Sequence, residues 1–131
     1  MAAAKTLPGT ARSAPVMIVE DDDDVRNAMA ELLEGEGYDL VVAQNGVEAL
    51  EALREQRPSL LLVDLLMPVM NGVELIGRLR SEAAWRDIPV VVMTAANDRI
   101  VGLDVESLNV PVLKKPVDLA SLAQVLADYR A

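Results

Sequence analysis

The chain contains no cysteine and no histidine. The first absence excludes disulfides, thiolate zinc sites and cysteine nucleophiles. The second excludes His-based triads and imidazole metal ligands. Phenylalanine is also missing, and aromatics make up only 2% of the 131 residues, so any core has to be filled by Leu, Val, Ala and Met. No apolar run is long enough to span a bilayer, and the opening stretch MAAAKTLPGTARSAP lacks the apolar centre of a signal peptide. The expected location is therefore cytoplasmic. Basic residues are in deficit, with 12 Lys and Arg against 21 Asp and Glu, a net charge of −9. Such a surface repels phosphate backbones and anionic headgroups, and no basic stripe with interleaved aromatics occurs. Neither nucleic acid nor a membrane is an expected partner. What remains is the chemistry of carboxylates, lysine, hydroxyls and a bound metal.

With 52% hydrophobic and 25% charged residues, the chain has the composition of a globular protein, and its length suits one domain. Residues 1–14 read as a flexible extension rich in Ala, Gly, Pro, Ser and Thr, leaving the domain to residues 15–131. Val16–Val19 is a short β-branched apolar run that leads directly into acids. Such runs suit strands covered on both faces. Val25, Met29, Leu32 and Leu33 then recur at helical spacing, with Asp22 or Asp23 as N-cap and Gly35 and Gly37 as the stop. The alternation continues with strand Leu40–Ala43, a turn at Asn45-Gly46 and a helix over VEALEALREQ. Strand Leu60–Asp64 follows, then a loop with Met67-Pro68 and Asn71-Gly72, and a helix over VELIGRLRSEA. Strand Pro89–Thr94 precedes a weakly signalled helix near Asp98–Val105. A short strand Val110–Leu113 and a helix over LASLAQVLADY capped by Asp118 close the chain. Five strands alternating with five helices predict a doubly wound α/β fold with a five-stranded parallel sheet.

In such folds the working site lies at the carboxyl ends of the strands. Those ends carry Glu20, Asp21, Asp64, Thr94 and Lys115, which the topology brings to one rim. Carboxylates crowded there need a cation, and hard oxygen ligands without His or Cys select Mg²⁺ or Mn²⁺ over zinc. A carboxylate beside such a metal is able to attack phosphorus and form an aspartyl-phosphate. A lysine ammonium and a hydroxyl then neutralise and hydrogen-bond the transferring group. Asp64, Lys115 and Thr94 carry the groups for these three roles. Asp22, Asp23 and Asp24 are read as helix-capping, solvated acids, and Trp85 as a loop packing residue.

The order and spacing of VMIVEDD, GYDLVVAQNGVEALEAL, LLLVDLLMPVMNG, IPVVVMTA and VLKKPVDL carry a specific resemblance over residues 15–130. The chain resembles the receiver domains of bacterial response regulators, of the CheY-like, flavodoxin-like kind. The resemblance implies that Asp64 is the phosphoacceptor for a sensor histidine kinase or a phosphotransfer protein. It implies that Asp21 binds Mg²⁺ directly and Glu20 through water, with Asp64 and the backbone carbonyl of Leu66 as further ligands. Thr94 is then the hydroxyl that follows the phosphate, and Lys115, placed before Pro116, the site lysine in preference to Lys114. The protein would be a signalling domain, not an enzyme with a substrate of its own. It would stand alone and dock a downstream protein through the face of the fourth helix, fifth strand and fifth helix.

Two departures from the family matter. Val112 stands where Tyr or Phe is common, and Val117 follows Pro116 in place of the usual Phe. A rotating aromatic is thereby excluded as the readout, so Thr94, the loop Ala95–Asp98 and the helix after it must carry any switch. Leu66 and Ala96 occupy the positions that tune hydrolytic water in the family, and an apolar Leu66 implies a long-lived phosphoryl group. A phosphorylation-independent interaction module of the same fold is the alternative. A metal-dependent phosphohydrolase is disfavoured, because Leu66 stands where such enzymes place a second acid.

Overall fold

A computed structural model describes residues 14–65, 67, 69–94, 110–115 and 117–129. The expected helix at 98–105 lies outside these residues, as do Leu66, Pro68, Ala95, Ala96, Pro116 and the extension 1–13. The described elements are β1 (Val16–Val19), α1 (Asp23–Gly35), β2 (Leu40–Ala43), α2 (Gly46–Glu55), β3 (Leu60–Asp64), α3 (Gly72–Ser81), β4 (Val90–Thr94), β5 (Val112–Lys114) and α4 (Leu119–Tyr129). The expected fifth helix is thus α4 here.

All pairings are parallel, in the order β2-β1-β3-β4-β5. This is the strand order of flavodoxin-like doubly wound sheets, with the switch between β1 and β3. Every residue of β1, β3 and β4 is buried, as expected for strands covered by helices on both sides. Alternation along each strand splits the core in two. Met17, Val19, Leu61, Val63 and Val92 pack with Leu50 and Leu53 of α2 and Leu75, Ile76 and Leu79 of α3. On the other face Ile18, Leu62, Val91 and Met93 pack with Met29 and Leu33 of α1 and Leu122 and Leu126 of α4. The largest fully buried side chains, Met17, Ile18, Leu61, Leu62, Leu75 and Met93 among them, are aliphatic or thioether groups. Each such group contributes about 2–3 kcal/mol on burial, so the core holds without a phenyl ring.

Caps fix where the helices start. Asp22 accepts a hydrogen bond from Val25 N at 3.0 Å, and Asp118 accepts one from Ser121 N at 2.7 Å. Asn45-Gly46 is not a free turn. Asn45 caps α2 by accepting from Glu48 N at 2.9 Å, so the helix begins at Gly46, one residue before Val47. Asn71 likewise forms a reciprocal capping box with Glu74, at 2.9 and 3.0 Å, and α3 begins at Gly72. Asn serves a cap as readily as a turn, which explains both shifts.

The last strand is also displaced, from the expected Val110–Leu113 to Val112–Lys114. Pro111 has no N–H to donate to the ladder. Its carbonyl accepts from Val92 N at 2.9 Å, and regular pairing starts one residue later. Thr94 then lies opposite Lys114.

Candidate functional site

Four of the polar residues singled out by sequence converge at the carboxyl ends of β1, β3, β4 and β5. Glu20 follows β1 and is 0% exposed, Asp64 ends β3 at 5%, and Thr94 ends β4 at 3%. Lys115 follows β5, and its backbone N–H donates to Thr94 O at 2.7 Å, tying the lysine to the neighbouring strand end. Its Nζ lies 2.8 Å from Glu20 Oε1 and 3.2 Å from Asp64 Oδ2. Lys114, the competing assignment, lies in β5 with an exposed side chain. Asp21 is exposed, yet its carboxylate lies with those of Glu20 and Asp64 in a group whose ligand atoms are within 4.8 Å of one another.

The burial of two carboxylates dictates the electrostatics. Burial, reinforced by the adjoining Glu20 carboxylate, pushes Asp64 from its usual 3.8 up to about 7, with Lys115 opposing the rise. Burial pulls the Lys115 ammonium down, but Glu20 and Asp64 outweigh it and hold its pKa above the usual 10.5. One ammonium thus faces two acids. Glu20 Oε1 is buried and accepts no hydrogen bond of good geometry, although Lys115 Nζ is close. An under-satisfied carboxylate oxygen beside a raised aspartate suits a site that takes a cation. The donor set is all oxygen, which fits Mg²⁺ or Mn²⁺. Leu66, the fourth expected ligand, lies outside the described residues.

A pH dependence follows with a definite sign. Between about pH 4 and 7 folded Asp64 keeps a proton that the unfolded chain has lost, so stability falls as pH rises through that window. Asp118, held below its usual 3.8 by the Ser121 N–H, acts in the opposite sense and only in more acid solution. Chelator-treated protein is expected to lose of order 2 kcal/mol between pH 5 and 7.5. Saturating Mg²⁺ should flatten the dependence. Thermal melts across that range check it, and a flat or rising profile without metal would contradict the raised Asp64.

Three supporting residues carry no obvious signal in the sequence. Arg26 donates from Nη1 to Glu20 O at 2.9 Å and pairs with Asp23 through Nη2, so α1 braces the end of β1. Its i,i+3 spacing from Asp23 is the one hint available. Gly72, expected only as part of a turn, passes against the end of β3. A Cβ there would lie 2.8 Å from Asp64 O and 2.9 Å from Leu65 Cα. Gly72 N also donates to Leu65 O at 2.9 Å. Val69 adopts φ 69° and is 78% exposed, a left-handed conformation that costs a β-branched residue about 1–2 kcal/mol. Trp85, expected as a loop packing residue, is half-buried against the α2–α3 side of the core.

This geometry sits within a known lineage. A 14.6 kDa protein of Leptolyngbya boryana is 38% identical over 117 residues, covering 87% of this chain and 88% of its own length. The DNA-binding response regulator MtrA of Mycolicibacterium paratuberculosis is 37% identical over 117 residues, or 88% of this chain and 51% of MtrA. The chain spans about half the length of the MtrA relatives it matches. Among solved structures, the receiver domain of a signal transduction histidine kinase from Syntrophus aciditrophicus superposes with a TM-score of 0.81 at 29% identity, covering 89% of each chain. The chemotaxis response regulator CheY4 of Vibrio cholerae gives 0.78 at 25% identity, covering 88% of this chain and 98% of CheY4. Residues 16–127 match the response regulator receiver domain as a family, and on sequence and fold alike the chain belongs to it.

Proposed function

We propose that this receiver domain is switched by phosphorylation of Asp64. The carrying observation is the buried pair of Asp64 and Glu20 bridged by Lys115 Nζ, beside a carboxylate group able to hold a divalent cation. Glu20, Asp21 and Asp64 would hold Mg²⁺, with the Leu66 carbonyl as a further ligand. Bound there, Mg²⁺ would neutralise charge on the carboxylates and on the transferring phosphoryl oxygens. An Asp64 carboxylate oxygen forms the new bond to phosphorus as the P–N bond of a donor phosphohistidine breaks, and the imidazole leaves with that electron pair. Lys115 would shift from the paired carboxylates toward a phosphoryl oxygen, while the Thr94 hydroxyl would donate a hydrogen bond to another.

The phosphodonor would be a sensor histidine kinase or a phosphotransfer protein. The domain over residues 15–131 would act in the cytoplasm and signal by changed docking of a downstream protein. The proposed docking face includes β5, α4 and the expected helix at 98–105. A net charge of −9 supports a protein target over nucleic acid.

Acetyl phosphate with Mg²⁺ is expected to label the protein, and chelation should block the reaction. Hydroxylamine should release the label, as it does from acyl phosphates. Labelling that persists in chelator, or that survives hydroxylamine, would count against an aspartyl-phosphate. The alternative, an interaction module indifferent to phosphorylation, draws on Val112, an aliphatic residue 41% exposed on β5 where an aromatic readout is common in the family. Equal partner affinity with and without the phosphoryl group would favour it.

A further inference from the structure

Basic residues gather at one end of the fold, with Glu55, Glu82 and Asp87 interspersed among them. Five of its 12 basic residues, Arg54, Arg57, Arg78, Arg80 and Arg86, lie in or just beyond the last turns of α2 and α3. In a parallel sheet crossed by returning helices, helix C-termini lie at the end opposite the strand carboxyl ends. The cluster is therefore remote from Asp64. Between α2, α3 and the segment after α3 runs a groove of about 260 Å³ lined by Leu50, Arg54, Arg78, Ser81, Glu82 and Trp85.

Compensation of the two helix dipoles explains some of these arginines, but it does not extend to Arg57 and Arg86, which lie outside the helices. Arg57 and Arg80 are structural. Arg57 donates to Ala84 O, and Arg80 Nη1 donates to Arg86 O at 3.2 Å, so both staple the segment that carries Trp85. Arg54 and Arg78 differ. Both are exposed and both line the groove, where they outnumber its one carboxylate, Glu82, and neither guanidinium has a hydrogen-bond or ion-pair partner among the described residues. Leu50, 7% exposed, and half-buried Trp85 supply its apolar part.

We infer that this groove is a second docking surface, and that it takes an acidic protein segment bearing an apolar side chain between its carboxylates. Guanidinium forks match carboxylates two bonds at a time, which favours a carboxylate-bearing partner over a merely anionic surface. The apolar side chain would enter beside Leu50 and Trp85. Nucleic acid fits less well, because the protein as a whole, at net −9, repels an extended phosphate backbone. The inference does not depend on modification of Asp64.

Trp85 is the only tryptophan, so its fluorescence reports the groove directly. The probe is a synthetic peptide with glutamates on both sides of a leucine, titrated into the full chain. A saturable shift is expected that weakens between about 50 and 300 mM NaCl. Arg54→Glu with Arg78→Glu should weaken binding at least about tenfold, the equivalent of one lost charged pair. Arg54→Lys with Arg78→Lys should recover only part of it. Both positions are exposed, so the lysine pair should melt close to wild type and the double reversal only several degrees lower, through lost compensation of the helix dipoles. If the double reversal unfolds, single Arg78→Gln decides in its place. No saturable shift, undiminished binding by the variants, or an equal response to the lysine counterpart of the peptide overturns the proposal. Preferential binding of a single-stranded oligonucleotide overturns it in favour of nucleic acid, and self-association lost on reversal overturns it in favour of a second copy.

Discussion

Asp64→Asn is expected to reduce labelling by acetyl phosphate at least about 100-fold, because an amide oxygen is a far weaker nucleophile than a carboxylate. Asn fills the same volume, so the loss should not come from unfolding. Asp64 is pushed up to about 7 by burial and by Glu20, and removing its ionisation removes that conflict. Metal-free Asp64→Asn should therefore melt at or above the wild-type temperature near pH 7.5, while binding Mg²⁺ more weakly. Lys115 keeps Glu20 as its partner at 2.8 Å. Label retained by this variant would place the phosphoryl group elsewhere and overturn the assignment.

Gly72→Ala is expected to destabilise the fold by about 2–3 kcal/mol, read from urea unfolding. The added Cβ meets Asp64 O at 2.8 Å and Leu65 Cα at 2.9 Å, both backbone atoms that no rotamer change can move. The end of β3 must then shift, and labelling should slow in the fraction that still folds. Gly46→Ala is the informative contrast. The three atoms nearest to its Cβ are Met70 Cγ, Sδ and Cβ, at 2.7–2.8 Å. The outer thioether atoms can swing aside, whereas Met70 Cβ gives only with its loop backbone, which yields more readily than the end of a central strand, so the cost should be about 1–2 kcal/mol, below that at Gly72. Equal penalties at the two positions would show that backbone proximity at Asp64 is not the cause.

The central strands were legible because burial on both faces leaves an uninterrupted apolar run. Val16–Val19 and Leu60–Asp64 appear with the bounds their hydrophobicity implies. Where polar chemistry serves two ends, sequence was less decisive. Asn45 and Asn71 read as turns yet cap helices, since the same amide that closes a turn also accepts an N-terminal N–H. The candidate site was legible through strand ends, because a parallel sheet delivers them all to one rim. Its supports were not. Arg26 reaches Glu20 through a backbone carbonyl, and Gly72 acts through the side chain it lacks. Neither property leaves a residue-type signature.

The displacement of β5 bears on how the protein behaves in a crowded cell. Among the described residues its three residues form one margin of the sheet, where unpaired backbone groups could template another chain. Pro111 withholds an N–H at the entry, and exposed Lys114 sets a charge at the exit. A margin this short and this punctuated resists fibrillar accretion. The strand that delivers Lys115 to the rim thus offers little seed for aggregation.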